Sequence, residues 1–232
     1  MVRKLTSILL FTCTSFLVYS QAPDEIDRLK TITLVNTDGK PFVNADFDVE
    51  GSPFYIDKWK FGTIKMISNN VYNNISVRLN LQSQEVHFLA QNKTEMTVLP
   101  ELIKELFIYD TTTTGVDIYD FQCGFPELDK QTAKDFYLVL SSGKMKLLES
   151  IKKEIRKRKD DISGEVKRDF VSYENYYVFA NNTLQPVRLN KNSILPIFNG
   201  QQAKVEEYIR ENKLSYKSGK DLKKVVDYYN TL

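Results

Sequence analysis

The chain has 232 residues, 42% of them hydrophobic and 27% charged, which suits one or two globular domains and excludes disordered, collagen-like and polytopic membrane chains. Lys and Arg number 32 against 30 Asp and Glu, and 14 Phe with 13 Tyr supply enough aromatic area to close a core without disulfide staples.

The first twenty residues read as a signal peptide. Arg3 and Lys4 form a positive start, Ile8 to Tyr19 is apolar and uncharged, and Val18-Tyr19-Ser20 places a small residue before Gln21. The apolar run is shorter than the roughly 20 residues that a membrane span needs. Export, to the periplasm or beyond the cell, is therefore the expected destination, with no span in the mature chain. Removing residues 1–20 takes away Arg3 and Lys4 and leaves basic and acidic residues balanced. Cys13 departs with the signal. Bulky Phe11 and Thr12 before it argue against a lipidated cysteine, and Cys123 alone cannot form an intramolecular disulfide. With no histidine beside it, Cys123 reads as a small core or loop residue.

The next segment, Ile32 to Val35 and Phe42 to Val49, reads as an edge strand or an N-terminal arm punctuated by Asp38-Gly39 and Pro41. Thr63 to Ile67 predicts a short strand, and Ser68-Asn69-Asn70 a turn into Val71. Ile75, Val77, Leu79 and Leu81 alternate with Ser76, Arg78 and Asn80, which describes a strand with one wet face. Glu85 to Leu89 and Met96 to Leu99 follow, separated by the Asn92-Lys93 turn. Further strands are expected at Leu106 to Tyr109, Val116 to Phe121 and Phe136 to Leu140, with Ser142-Gly143 turning the chain into Lys144 to Leu148. Short strands joined by short polar turns predict an antiparallel meander.

Residues 144–159 fit either a strand or a helix, because Leu148, Ile151 and Ile155 have helical spacing while Met145 and Leu147 alternate. Tyr173 to Ala180, the Asn181-Asn182 turn and Pro186 to Leu189 predict a hairpin. Val205, Tyr208 and Ile209 share one face of a helix over about 201–212. Ser218 to Asp221 has capping-box spacing ahead of Leu222, Val225, Val226 and Tyr229. The expected fold class is α+β, an antiparallel β-meander sheet with C-terminal amphipathic helices packed on it. It would be one β-rich domain over 21–232, helical from about residue 190.

Several words of the sequence carry a resemblance. Gly51-Ser52-Pro53-Phe54-Tyr55, Trp59, Gly62, Val77-Arg78-Leu79-Asn80 and Glu85-Val86 are joined by Phe136-Tyr137, Leu140 and Gly143 to Leu148. Tyr176-Tyr177 and the ending Leu222 to Leu232, with Tyr228-Tyr229-Asn230, complete the set. In these words the chain resembles a family of uncharacterised exported proteins of Bacteroidetes. The resemblance implies a secreted or envelope location and a compact β-rich fold, and carries no activity. The chain departs from the family's pattern at Pro196, where a continuing short helix would be expected.

Familiar chemistries are scarce. His87 is the single histidine, so multi-histidine metal sites and any catalytic triad without it are excluded; its place opposite Val86 and Phe88 points it towards water. Gly39, Gly51 and Gly62 are isolated turn residues, not a phosphate loop, and Asp46-Phe47-Asp48 lacks the rest of a calcium loop. No cofactor or metal is expected. Asn74-Ile75-Ser76, Asn92-Lys93-Thr94 and Asn181-Asn182-Thr183 match a glycosylation pattern that is empty in a bacterial protein. Asp117 and Asp120, beside Tyr119 and Phe121, offer a carboxylate pair over an aromatic floor, or merely a polar strand edge.

Between Lys144 and Lys159 stand eight Lys or Arg residues against Glu149 and Glu154, a local charge of about +6. In an exported protein this suits anionic lipid or acidic glycan rather than nucleic acid, or a solvated face whose acid partners lie elsewhere. Trp59 either closes a core edge or forms a stacking platform, and alternation forbids Tyr176 and Tyr177 from facing the same side. The candidate contacts for a ligand or partner are Tyr55, Trp59, Tyr176, Tyr177, Lys152, Lys153 and Arg156. The expected function is an exported, non-catalytic binding or scaffolding protein of the envelope. Its partner would be an envelope protein, an anionic lipid or a glycan. The alternatives are a carrier of a lipid or other apolar ligand in a sheet–helix pocket, and a carboxylate-dependent glycan hydrolase.

Overall fold

The structure is a computed structural model that describes residues 49–159 and 166–232. The expected signal peptide, the Asp46-Phe47-Asp48 triplet and most of the Ile32–Val49 arm lie outside the described residues. The strands are β1 (Val49–Glu50), β2 (Lys60–Met66), β3 (Val71–Asn80), β4 (Glu85–Leu89), β5 (Glu95–Val98) and β6 (Ile103–Thr112). They are followed by β7 (Gly115–Gln122), β8 (Tyr137–Ser141), β9 (Lys146–Lys159), β10 (Val166–Ala180) and β11 (Thr183–Val187). Three helices end the chain, α1 (Lys191–Ile194), α2 (Gln202–Glu211) and α3 (Gly219–Thr231).

The eleven strands of the described residues share one sheet in the order β1-β10-β9-β8-β7-β6-β2-β3-β4-β5, with β11 also paired to β10. The α+β class is as expected, but the sheet is mixed: β1 runs parallel to β10, against the expectation of a purely antiparallel meander. Two runs of consecutive antiparallel neighbours, β2 to β5 and β6 to β11, are joined by the pairing of β2 with β6. Turn chemistry in the sequence signals hairpins between neighbours; the β2–β6 pairing joins distant segments and leaves no such local mark. Gly62 sits at that junction, where a Cβ would run into the Phe107 carbonyl oxygen and the Val77 side chain.

Residues 146–159 form a strand. Leu147 and Leu148 are both buried on opposite faces, because this part of the sheet is covered on both sides and the two-residue period is masked. The helical spacing of Leu148, Ile151 and Ile155 is incidental, since in the strand Leu148 faces away from the other two. The hairpin between β10 and β11 turns at Asn181 and Asn182, both with positive φ (50° and 58°), the geometry of a two-residue mirror-image turn.

The helices pack on one face of this end. Met145, Leu147, Val178 and Val187 from the sheet meet Ile194, Phe198, Val205, Ile209, Leu222, Val225 and Val226. On the opposite face Phe125, Tyr137, Leu148, Tyr177 and Leu184 form a second cluster. Ser218 caps α3 by accepting from the Asp221 N–H at 3.2 Å. At Pro196 the short helix α1 stops and the chain continues as one tight turn over Leu195–Ile197, because proline has no N–H to extend α1.

Candidate functional site

Register fixes which side chains share a face. Phe61 on β2 lies opposite Tyr109 on β6, and Tyr109 lies opposite Ile118 on β7, so the three form one row across three strands. Val116 follows two residues from Ile118 on the same face. Buried Ile64, Leu106, Ile108 and Phe121 lie on the other face, so this row looks outward. Phe61 is 58% exposed, Ile118 62% and Val116 55%. Water-exposed apolar groups in a contiguous row mark an interaction surface far better than the same groups scattered singly.

Towards β3 and β4 the outer face is closed by its own packing. The Arg78 guanidinium lies between the Phe54 ring, 3.9 Å from its centroid, and the Trp59 ring, 4.1 Å away. Arg78 also pairs with Glu95 at 2.9 Å, and His87 Nδ1 lies 2.6 Å from the same carboxylate. Burial pushes the Glu95 carboxyl up, but the His87 and Arg78 hydrogen bonds outweigh it and hold it below the usual carboxylate range. Trp59 is thus neither in the core nor an open platform; its face is taken by Arg78. His87 does face away from Val86 and Phe88, yet Phe54 and Glu95 cover it, and its side chain is only 17% exposed.

The other candidate contacts are distributed by alternation. Tyr55 faces the interior against Tyr119 and Phe121, with ring centroids 5.0 and 4.9 Å away, and burial, then Tyr119 and Glu149, pushes its phenol up. Tyr177 is buried and its hydroxyl accepts from Gln131 Nε2 at 3.2 Å. Alternation left one of the pair to be exposed, but Tyr176 is half-buried under the helices against Gly219 and hydrogen-bonded to Glu149. Both faces of the sheet are covered there, so alternation separates the two tyrosines without exposing either.

The basic run is largely satisfied within the chain. Lys152 pairs with Asp135 at 2.7 Å, Lys153 donates to the carbonyls of Ser52 and Phe54 at 2.8 and 2.6 Å, and Arg156 and Arg158 both reach Asp169. Asp117 and Asp120 do not form a pair. Asp120 shares the outer face with Phe107, while Asp117, itself exposed, lies on the other face opposite Asp110. Burial, opposed by the Gln122 hydrogen bond, raises the Asp120 carboxyl.

No protein-family model, curated protein or solved structure matches the chain. Its own geometry therefore carries the functional reading. The apolar cavity among the helices, lined by Ile194, Ile209, Leu222 and Val225, holds about 10 Å³, far below the several hundred of a ligand pocket. No helix among the described residues is long and apolar enough to cross a membrane. A larger polar notch of about 830 Å³ opens beside β10.

Sequence reading missed Phe61, Tyr109, Ile118 and Val116. A signal was present, because if Tyr119 and Phe121 face inward, Val116 and Ile118 must face outward. The strand is apolar on both sides, and its exposed side needs a use.

Proposed function

We propose that the protein is an exported, non-catalytic binding or scaffolding module of a bacterial envelope that docks a partner protein on the outer face of β2, β6 and β7. The row Phe61–Tyr109–Ile118 carries this reading. A three-strand surface of aromatic and branched aliphatic groups suits the apolar centre of a protein interface, with Lys65–Glu105 and Asp120 as its polar rim. Export rests on the Arg3-Lys4 start and the apolar run that follows, and the resemblance to exported Bacteroidetes proteins points to the same compartment. The words of that resemblance supply fasteners of the fold, Phe54, Trp59 and Arg78 among them, which agrees with a family defined by a shared scaffold.

The test is native mass spectrometry of the protein purified from its bacterium's envelope fraction, with wild type and an F61E/I118E variant compared. Both positions are more than half exposed, so the variant should fold. A protein partner at fixed stoichiometry, lost in the variant, is the expected result. A bare monomer, a partner that survives the substitutions, or release of a small apolar molecule would contradict the reading.

A hydrolytic reading rests on Glu149. Burial raises its carboxyl against the Tyr176 hydrogen bond, and the nearby Glu174 charge adds to the rise, which places a raised carboxyl and a second carboxylate on the same face. Release of reducing sugar ends from cell-wall glycan by wild type, abolished in E149Q and E174Q, would support it.

A further inference from the structure

β10 has an open edge. Along one side it pairs with β9 from Val166 to Phe179. Along the other, β1 pairs only at Arg168 and Asp169, and β11 only from Tyr176 to Ala180. Among the described residues no strand pairs with that side of Phe170–Asn175, and Ser172, Tyr173, Glu174 and Asn175 are all exposed.

The ladder with β11 stops for a local reason. The Arg188 N–H donates to Ser193 Oγ at 2.9 Å and its carbonyl accepts from Asn190 N–H at 2.7 Å, so neither group reaches Asn175. The chain then turns into α1. The polar notch of about 830 Å³ occupies this place, lined by Glu174, Asn175, Tyr176, Arg188, Asn190 and Asp129 among others.

We infer that this edge accepts an extended, cationic peptide segment of a partner protein as an added strand between β1 and β11. Unpaired backbone groups on a sheet edge supply the affinity of such an addition, and side chains beside the edge supply the selectivity. Alternation sends successive side chains of an added strand to opposite faces. Glu174 stands on the helix-covered face and Asp129 in the notch wall, and neither has an ion pair among the described residues. Two acids against Arg188 favour Lys or Arg on the incoming segment. A second copy of the chain does not fit through its own β10, which would run on into the places of β1 and β11 at the two ends of the opening.

The surface is separate from the Phe61–Ile118 row, so its failure would leave that reading intact. The full mature chain is titrated with a blocked hexapeptide of alternating lysine and valine, and backbone amide exchange is followed by NMR. Fast exchange at the outward amides of Val171–Asn175 in the free protein, slowed by the peptide, is expected. A peptide N-methylated at alternate residues should fail to bind, and E174K with D129K should weaken binding at least about tenfold, equivalent to about 1.4 kcal/mol. Slow exchange at these amides in the free protein would overturn the inference. So would binding indifferent to N-methylation, protection confined to other strands, or preference for a glutamate-containing counterpart peptide.

Discussion

Asn230 clasps the turn at Gly143, where a Cβ on residue 143 would lie 2.6 Å from the Asn230 Cγ. Its Oδ1 accepts from the Met145 N–H at 3.0 Å, and its Nδ2 donates to the Met145 carbonyl at 2.9 Å and to Ser141 Oγ at 3.3 Å. The amide stands in for a neighbouring strand and ties α3 to the β8–β9 turn. N230A should cost about 2–3 kcal/mol in urea unfolding, since it leaves half-buried backbone groups unpaired. G143A should also destabilise, and the double variant should lose less than the sum of the two, because removing Asn230 relieves the crowding.

The Phe54–Arg78–Trp59 stack holds the segment before β2 against the outer face. R78A should cost about 2 kcal/mol and R78K about 1 kcal/mol, as lysine keeps the charge but not the plane that fills the space between two rings. Trp59 is the only tryptophan, so its emission reports directly on this stack and should shift to the red in both variants.

Cys123 donates to the Ile103 carbonyl at 2.8 Å, and burial pushes its thiol up from an ordinary 9.0 to about 12. At pH 8 the native thiol should label about a thousandfold more slowly than the unfolded one, matching its thiolate fraction. Because the folded value is raised, the associated stability is present below about pH 9 and is lost as pH climbs towards 12. C123A should blunt that alkaline loss in a pH series of melting temperatures.

Glu149 is raised chiefly by burial, then by Glu174, against the Tyr176 hydrogen bond. A raised acid favours folding below its unfolded value and weighs against folding once pH rises through its folded value. E149Q should therefore raise the melting temperature more at pH 8 than at pH 4, as the amide keeps an acceptor for Tyr176 without the charge.

The strands were legible wherever one face is wet. Ile75 to Leu81 alternates cleanly, and β3 and β4 lie where the pattern puts them. The helix faces were equally plain, because Val205 and Ile209, and Leu222, Val225 and Val226, each meet a single apolar partner layer. Periodicity fails in β9, where both faces are covered, and it says nothing of which distant strands pair, so β2 beside β6 and β1 beside β10 went unread. The candidate contacts were chosen by residue type. Lys152 and Arg156 are paired within the chain, while Phe61 and Ile118 gained no role from residue type and are placed on the outer face only by register.

The most direct measurement places a photo-crosslinking amino acid at residue 61 in cells of the source organism, with residue 204 on the exposed side of α2 as control. A discrete crosslinked protein from residue 61, absent from residue 204, is the predicted result. No crosslink from residue 61, or the same adducts from both positions, would contradict the assignment of the outer face of β2, β6 and β7 as the docking surface.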